Sequence, residues 1–138
     1  MHELTDELMT VVVLTADHAL DCARHGVLVP FVLSESPLGG RRLQRVLAPS
    51  SAGPAEELRR ARRVAHESAL REGIAALAYA SLMPADGTDA DAIYVEACEL
   101  DGPVLVFAQR YRPRTRLRAA RPVGNLAFLG PIVRARAA

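Results

Sequence analysis

The sequence predicts an α+β domain in which two helices pack on a largely antiparallel sheet. Two segments repeat their apolar residues every three or four positions, which is the period of an amphipathic helix. Other segments alternate between apolar and polar residues and are separated by turn-forming residues, as strands are. One of these turns, Asp101-Gly102, is a strong hairpin signal. The predicted element order is α-β-β-α-β-β-β, with five strands in the sheet.

The first predicted helix runs from about Thr5 to His25. Thr5 is a suitable N-cap, and the two acids that follow it favour the positive end of the helix dipole. Gly26 is expected to end the helix in a left-handed conformation. The run Val11 to Leu14 is rich in β-branched residues, so a strand is the alternative there. The longer helical period comes from Leu4, Leu8, Val11, Val12, Thr15, Ala19, Cys22 and Ala23.

A hairpin is predicted after the first helix. Val27 to Ser34 is almost wholly apolar, which indicates a central strand. Ser36 to Gly40 contains proline and two glycines and has the composition of a turn. No helix follows this turn, so it lacks the dipole that would help to hold a phosphate. Arg42 to Ala48 alternates and is expected to lie nearer an edge of the sheet.

The second predicted helix begins at Pro54 and stops before Gly73. Its buried stripe consists of small residues, which should let the helix approach the sheet closely. That stripe is Leu58, Ala61, Ala65 and Ala69, with Val64 at its margin. The residues expected to face outward are Arg59, Arg60, Arg62, Arg63, His66, Glu67 and Arg71.

An antiparallel meander is predicted in the second half of the chain. Its strands are Ile74 to Leu82, Ala92 to Leu100 and Val104 to Arg112. Pro84 to Asp89 forms the first turn. Asp101-Gly102 forms the second, which we expect to be a type I′ turn with positive φ at both positions.

The chain of 138 residues is expected to form a single domain, 1–138. Residues 110–138 are interpreted as an arginine-rich extension of the third meander strand and an irregular C-terminal arm. Within that arm, Pro122 to Val133 is the candidate for a short last strand. The element order is similar to that of roadblock and longin-type interaction domains and other profilin-like sheets. The similarity is one of order alone, so no functional residue is transferred.

The composition excludes some chemistry. All 17 basic residues are arginine, so neither a Schiff-base lysine nor a P-loop is possible. The net charge of +1 predicts no strong attraction of the whole chain to nucleic acid. The charge is uneven, however, because residues 110–138 contain eight arginines and no acid.

Cytoplasmic localisation and no membrane association are expected. No apolar run approaches the roughly 18–20 residues that a membrane-spanning helix needs. The acidic start, Met1 to Glu7, differs from the positively charged start of a signal peptide. Cys22 and Cys98 are expected to be reduced, buried residues.

A metal site is conceivable on the first helix. His18, Asp21 and His25 lie near one another on a helical wheel, flanked by Cys22, and could offer three ligands. The favoured interpretation is an edge of the amphipathic helix with Asp21 and His25 as an i, i+4 pair. No metal and no cofactor are therefore expected.

The acidic turn contains Asp86, Asp89 and Asp91. An EF-hand counted from Asp86 would need ligands where the chain has Thr88 and Ala97, so the calcium pattern fails. A solvated hairpin loop is expected instead.

Alternating arginines form the most conspicuous candidate binding surface. If the chain is extended there, all of them point to one side and could bind phosphates, an acidic protein surface or nucleic acid. Nucleic acid is disfavoured because only one aromatic residue, Tyr111, accompanies them. The alternatives are a solvated strand that resists aggregation and a subunit contact with Glu96, Glu99 or the acidic first helix. The arginines are Arg110, Arg112, Arg114, Arg116 and Arg118.

No coherent catalytic set is visible; Glu96 and Glu99, for example, should face opposite sides of a strand. The sequence favours a non-enzymatic protein-interaction domain that forms a homo-oligomer, most simply a twofold dimer. The alternative is a small anion- or nucleotide-binding protein that uses the Arg110–Arg118 stripe. An enzyme would need a concave site gathering His18, His25 or His66 with a carboxylate.

Overall fold

The computed structural model describes residues 4–47, 51–85 and 88–132. Within that part of the chain the helices are α1 (Asp6–His25) and α2 (Pro54–Glu72). The α+β class and the antiparallel sheet are confirmed, but the sheet has more than five strands because the C-terminal tail adds two. The strands are β1 (Phe31–Glu35), β2 (Arg41–Arg45), β3 (Ile74–Ala85), β4 (Thr88–Glu99), β5 (Leu105–Arg112), β6 (Arg121–Pro122) and β7 (Ala127–Pro131).

The sheet has the strand order β2-β1-β3-β4-β5-β6, and β7 also pairs with β5. Every neighbouring pair is antiparallel. The short strands β6 and β7 pair with different parts of β5, on the side away from β4. The tail therefore contributes short strands that cover one edge of the sheet, while β2 lies at the opposite edge as predicted.

The two helices pack on opposite faces of the sheet. The cluster around α1 includes Phe31, Ile93 and Phe107. The cluster around α2 includes Val32 and Leu77, which alternate with residues that face α1. Because successive strand residues point to opposite faces, both faces of the central strands are apolar. The result is a three-layer arrangement with the sheet in the middle.

Helix α1 begins as predicted. Thr5 is the N-cap, and its hydroxyl accepts a hydrogen bond from the Leu8 amide at 3.1 Å. The buried Thr15 hydroxyl donates to the Val11 carbonyl at 2.6 Å, so the core contains no unsatisfied hydroxyl at that position. The left-handed conformation predicted for Gly26 is wrong, since its φ of 164° is extended backbone.

Helix α2 has the predicted limits and the predicted small stripe. Ala61, Ala65 and Ala69 are buried. Gly73 ends the helix with a φ of +111°, and its amide donates to the Ala69 carbonyl at 2.9 Å. The Gly73 carbonyl accepts from the Leu100 amide at 2.8 Å, which ties the end of α2 to the β4–β5 loop.

The β1–β2 turn is confirmed as a plain hairpin turn. The Ser36 amide donates to the Gly40 carbonyl at 2.8 Å, and the Gly40 amide donates to the Ser36 hydroxyl at 3.2 Å. Gly39 has a φ of +86°, a conformation that favours glycine. The cysteines differ in exposure, because Cys98 is buried while Cys22 is only half-buried.

The β4–β5 hairpin is confirmed, but its turn is not of type I′. Asp101 has a φ of +61°, whereas the φ of Gly102 lies outside the left-handed region between +20° and +160°. The Gly102 amide donates to the Glu99 carbonyl at 3.0 Å, and strand pairing resumes only at Leu105 opposite Ala97. Pro103 explains the longer loop, because proline has no amide hydrogen for the ladder.

None of the helices in the described part of the chain is both long enough and apolar enough to cross a bilayer. Some sequence predictions lie outside the described residues. These are the acidic start at 1–3, the loop around 48–50, the tip of the acidic turn at 86–87, and the tail from 133 onward.

Candidate functional site

The predicted arginine stripe is extended only at its beginning. Strand β5 ends at Arg112, and Pro113 follows it with a restricted φ and no amide hydrogen. The arginines at 114, 116 and 118 lie in an irregular segment, so the five do not form one straight row. All five side chains are exposed, and none forms an ion pair with another described residue.

A turn gathers the three later arginines. The Thr115 amide donates to the Arg118 carbonyl at 2.9 Å. The Thr115 hydroxyl accepts from the amides of Leu117 and Arg118 at 3.3 and 3.1 Å. These local bonds fold the segment back on itself, as serine and threonine hydroxyls do in tight turns.

A fourth arginine joins the turn from the end of α1. Arg24 donates from Nε to the Ala120 carbonyl at 3.2 Å, which fixes the last turn of the helix beside this segment. Together they line a shallow, open depression of about 810 Å³, here called the arginine cup. Arg24 could not be identified from the sequence, because no local pattern connects residues that are 96 positions apart. The cup is lined by Arg24, Arg114, Thr115, Arg116, Leu117, Arg118 and Ala119.

The acids proposed as partners for the arginines are engaged elsewhere. Glu96 is 4% exposed and faces α2, where Arg62 binds it. Glu99 accepts a hydrogen bond from the Thr5 hydroxyl at the start of α1. The two glutamates therefore face opposite sides of the sheet, as predicted, and each is held within its own chain.

Glu96 lies at the centre of a hydrogen-bonded group between α2 and the sheet. Its oxygens accept from Arg62 Nε at 2.9 and 3.2 Å and from Arg62 Nη2 at 2.8 Å. The Tyr79 hydroxyl donates to the same carboxylate at 2.5 Å, and the Tyr79 ring stacks on Tyr94 with centroids 5.6 Å apart. Arg62 is exposed as predicted, but its guanidinium reaches back to the sheet and binds Glu96, which was not predicted.

Burial and hydrogen bonding in this group raise two pKa values. Burial, followed by the hydrogen bond to Glu96, raises the pKa of Tyr79 above its usual range. The hydrogen bond to Glu96 raises the pKa of the Arg62 guanidinium. Both carboxylate oxygens are occupied, so the group joins α2 to the sheet rather than offering a free base.

The predicted histidine cluster lines a cavity of about 330 Å³ with the start of β1. His18 packs edge-on against Phe31 at 4.9 Å between ring centroids. His25 contacts Asp21 through Nδ1, at 2.8 Å from the carbonyl and 3.9 Å from the carboxylate. Among the described residues, no three histidine, cysteine or acidic side chains come together as metal ligands.

His66 lies in a different cavity from His18 and His25. Together with Cys98, Glu99 and Asp101 it lines a space of about 310 Å³ beside the β4–β5 loop. No hydrogen bond joins the His66 ring to a carboxylate in the described structure. A concave site with a histidine and acids is thus present, but without a hydrogen-bonded pair that would act as acid and base.

The β3–β4 hairpin projects beyond the rest of the sheet. Strand β3 pairs with β1 only up to Ala78, and β4 pairs with β5 only from Ala92 onward. Leu82–Ala85 and Thr88–Asp91 pair only with each other in the described structure, as a two-stranded ribbon, whereas Tyr79–Ser81 pair with β4 residues that also pair with β5. The β3 edge that has no strand partner beyond Ala78, here called the ribbon edge, is uncharged from Tyr79 to Met83, and its Leu82 is 58% exposed.

The opposite edge of the sheet has a different character. All five residues of β2 are exposed, and three of them are arginines. Charged side chains on an edge strand discourage pairing with another chain. The ribbon edge has no such protection along Tyr79 to Met83.

Comparison of the chain with protein-family models, with curated proteins and with solved structures gives no match.

Proposed function

We propose that this chain is a non-enzymatic interaction domain that forms a twofold homodimer through the ribbon edge of β3. The observation that carries the proposal is the unpaired, uncharged backbone from Tyr79 to Met83. These residues hydrogen-bond to β4 on one side and to no described strand on the other.

An open strand edge presents backbone amides and carbonyls that can pair with another chain. Ala80, Ser81 and Leu82 are all exposed, so nothing in the described chain covers this edge. A two-stranded ribbon is only marginally stable by itself. Pairing with a second copy would join the sheets of the two subunits along this edge and would cover part of the exposed Leu82 side chain.

The twofold symmetry follows from the geometry of antiparallel pairing. When a strand pairs with its own copy in antiparallel fashion, each contact occurs twice, and the interface closes with two subunits. A register centred on Ser81 would place Tyr79 of one copy opposite Met83 of the other. No charges would face each other across that axis, because the segment has none.

The first test is the solution mass of the wild-type chain by light scattering and sedimentation at micromolar concentrations. The expected mass is twice that of one chain. Leu82→Lys places two like charges across the axis and should weaken dimerisation at least about tenfold. Leu43→Lys introduces the same charge on the exposed edge strand β2 and should leave the dimer intact.

A crosslinking test reports the contact directly. Ser81→Cys should form a covalent dimer on mild oxidation, since the two thiols would lie near the axis. Gln44→Cys on β2 and the wild-type chain, with its two native cysteines, serve as controls under the same oxidant. A monomeric wild type, or a Leu82→Lys variant that dimerises as well as Leu43→Lys, would refute the proposal.

A further inference from the structure

We infer that the arginine cup is a binding site for phosphate groups of a multiply charged ligand. The cup lies in the segment after β5 and at the end of α1, and its lining shares no residue with the dimer contact. The inference does not depend on the proposed dimer.

The cup concentrates positive charge without compensation. Four arginine residues line one depression, and no acidic residue lines it. None of the four forms an ion pair with a described residue. Four uncompensated positive charges around one depression create a positive local potential that attracts anions. The whole chain carries a net charge of only +1, which makes this asymmetry local.

Two contacts shape the cup before any ligand arrives. The bond from Arg24 Nε to the Ala120 carbonyl fixes the helix end against the segment, while its terminal nitrogens form no hydrogen bond with a described residue. The Thr115 hydroxyl fixes the turn that carries the other arginines. A site whose backbone is already ordered loses less conformational entropy when it binds.

The lining favours phosphate over other anionic ligands. Guanidinium groups match the oxygens of a phosphate with paired hydrogen bonds, and four of them suit several negative charges. No aromatic side chain lines the cup, so a nucleobase would find no ring to stack on. The depression is open to solvent, so a linear polyphosphate or a phospholipid headgroup can reach the arginines without entering an enclosed pocket.

Leu117 bears on whether the bound phosphate belongs to a lipid headgroup or to a soluble polyphosphate. Its side chain is 94% exposed between Arg116 and Arg118. An apolar side chain among arginines could enter a bilayer while the arginines bind the headgroup phosphates. A soluble polyphosphate would use the arginines and leave Leu117 without a role. Both sources share the same phosphate chemistry, and the experiment separates them.

The soluble arm measures binding of inorganic tripolyphosphate by calorimetry at physiological ionic strength. Arg116→Gln and Arg24→Gln should each weaken binding about tenfold, the effect of one charge-assisted hydrogen bond. Arg112→Gln removes the same charge from β5, outside the cup, and should change the affinity less than about threefold. Equal effects of Arg112→Gln and Arg116→Gln would show unspecific attraction and would overturn the site.

The membrane arm measures co-sedimentation with vesicles that contain phosphatidylserine, against vesicles of phosphatidylcholine alone. If the source is a lipid, the chain should sediment only with the anionic vesicles, and Leu117→Ser should abolish this without changing tripolyphosphate affinity. If the source is soluble, tripolyphosphate should bind and neither vesicle should. Absence of binding to both probes at millimolar phosphate would refute the inference. The Leu82→Lys variant should bind tripolyphosphate as tightly as wild type does. Failure of the phosphate site and failure of the proposed dimer can therefore be told apart.

Discussion

Arg62 and Glu96 form a bidentate ion pair that joins helix α2 to the centre of the sheet, with Arg62 Nη2 and Glu96 Oε2 2.8 Å apart. The Glu96 side chain is 4% exposed, whereas that of Arg62 is 43% exposed. The pair thus spans the boundary between the core and the surface. A carboxylate this deeply buried requires a partner, because removing a charge from water is costly.

Removing Arg62 should destabilise the fold more than removing an arginine that forms no ion pair. Arg62→Leu leaves the buried carboxylate without its counter-charge and should lower the free energy of unfolding by about 2 kcal/mol. Solvent that reaches Arg62 keeps this below the loss expected for a fully buried pair. Urea unfolding followed by circular dichroism provides the measurement.

The matched control for this prediction is Arg63→Leu, at an exposed position without an ion pair in the described structure, where the change should stay within about 0.5 kcal/mol. The double variant Arg62→Leu/Glu96→Leu should regain much of the loss, because two apolar residues replace both charges. Equal losses in Arg62→Leu and Arg63→Leu would show that the pair contributes little.

Tyr79 should make the protein sensitive to alkali. Its pKa is raised by burial and by the Glu96 carboxylate, so the folded chain keeps the phenol proton when the unfolded chain, with a tyrosine pKa of about 10, releases it. The stabilisation is complete below that pH and is lost as the pH rises toward the folded pKa. Because the ring is only half-buried, the expected decline is at most about 1 kcal/mol per pH unit.

Urea unfolding at a series of alkaline pH values tests this expectation. Tyr79→Phe should show a shallower decline than wild type above about pH 10. A residual slope is expected from Tyr111, whose pKa is raised by burial and by Asp91. Identical slopes in the variant and in wild type would assign the alkaline effect to other groups.

The two glycines that follow the helices should respond oppositely to alanine. Gly73 has a φ of +111°, so Gly73→Ala should cost about 2 kcal/mol through backbone strain. An added Cβ would meet Pro37 only at 3.6 Å, so strain and not collision sets this cost. Gly26 is extended with nothing within 4 Å of an added Cβ, and Gly26→Ala should be neutral or stabilising by up to about 1 kcal/mol.

Thermal unfolding of both glycine variants provides the comparison. A Gly26→Ala variant that loses as much stability as Gly73→Ala would contradict the structural distinction. Sequence alone assigns both glycines the same role, since each follows a helix with the expected period.

The local elements could be predicted because their signals lie within a few residues. The helical period of the apolar residues and the Thr5 N-cap predicted α1. Pro54 at the start and Gly73 after the end predicted the limits of α2. The β4–β5 hairpin was predicted, but its turn type was wrong because Pro103 delays the ladder. The five arginines were expected to lie along one extended strand. Only the first two do, because the strand ends at Arg112, before Pro113.

The sequence by itself determined the class of this protein: two amphipathic helices, antiparallel hairpins and a tail of arginines without acids. Only the tertiary structure decided which face each helix covers, how far the β3–β4 ribbon projects, and which distant residues meet. Arg62 reaches Glu96 across 34 positions and Arg24 reaches Ala120 across 96. Such meetings depend on strand order and register, which are set by the packing of the whole core and leave no local pattern at either residue.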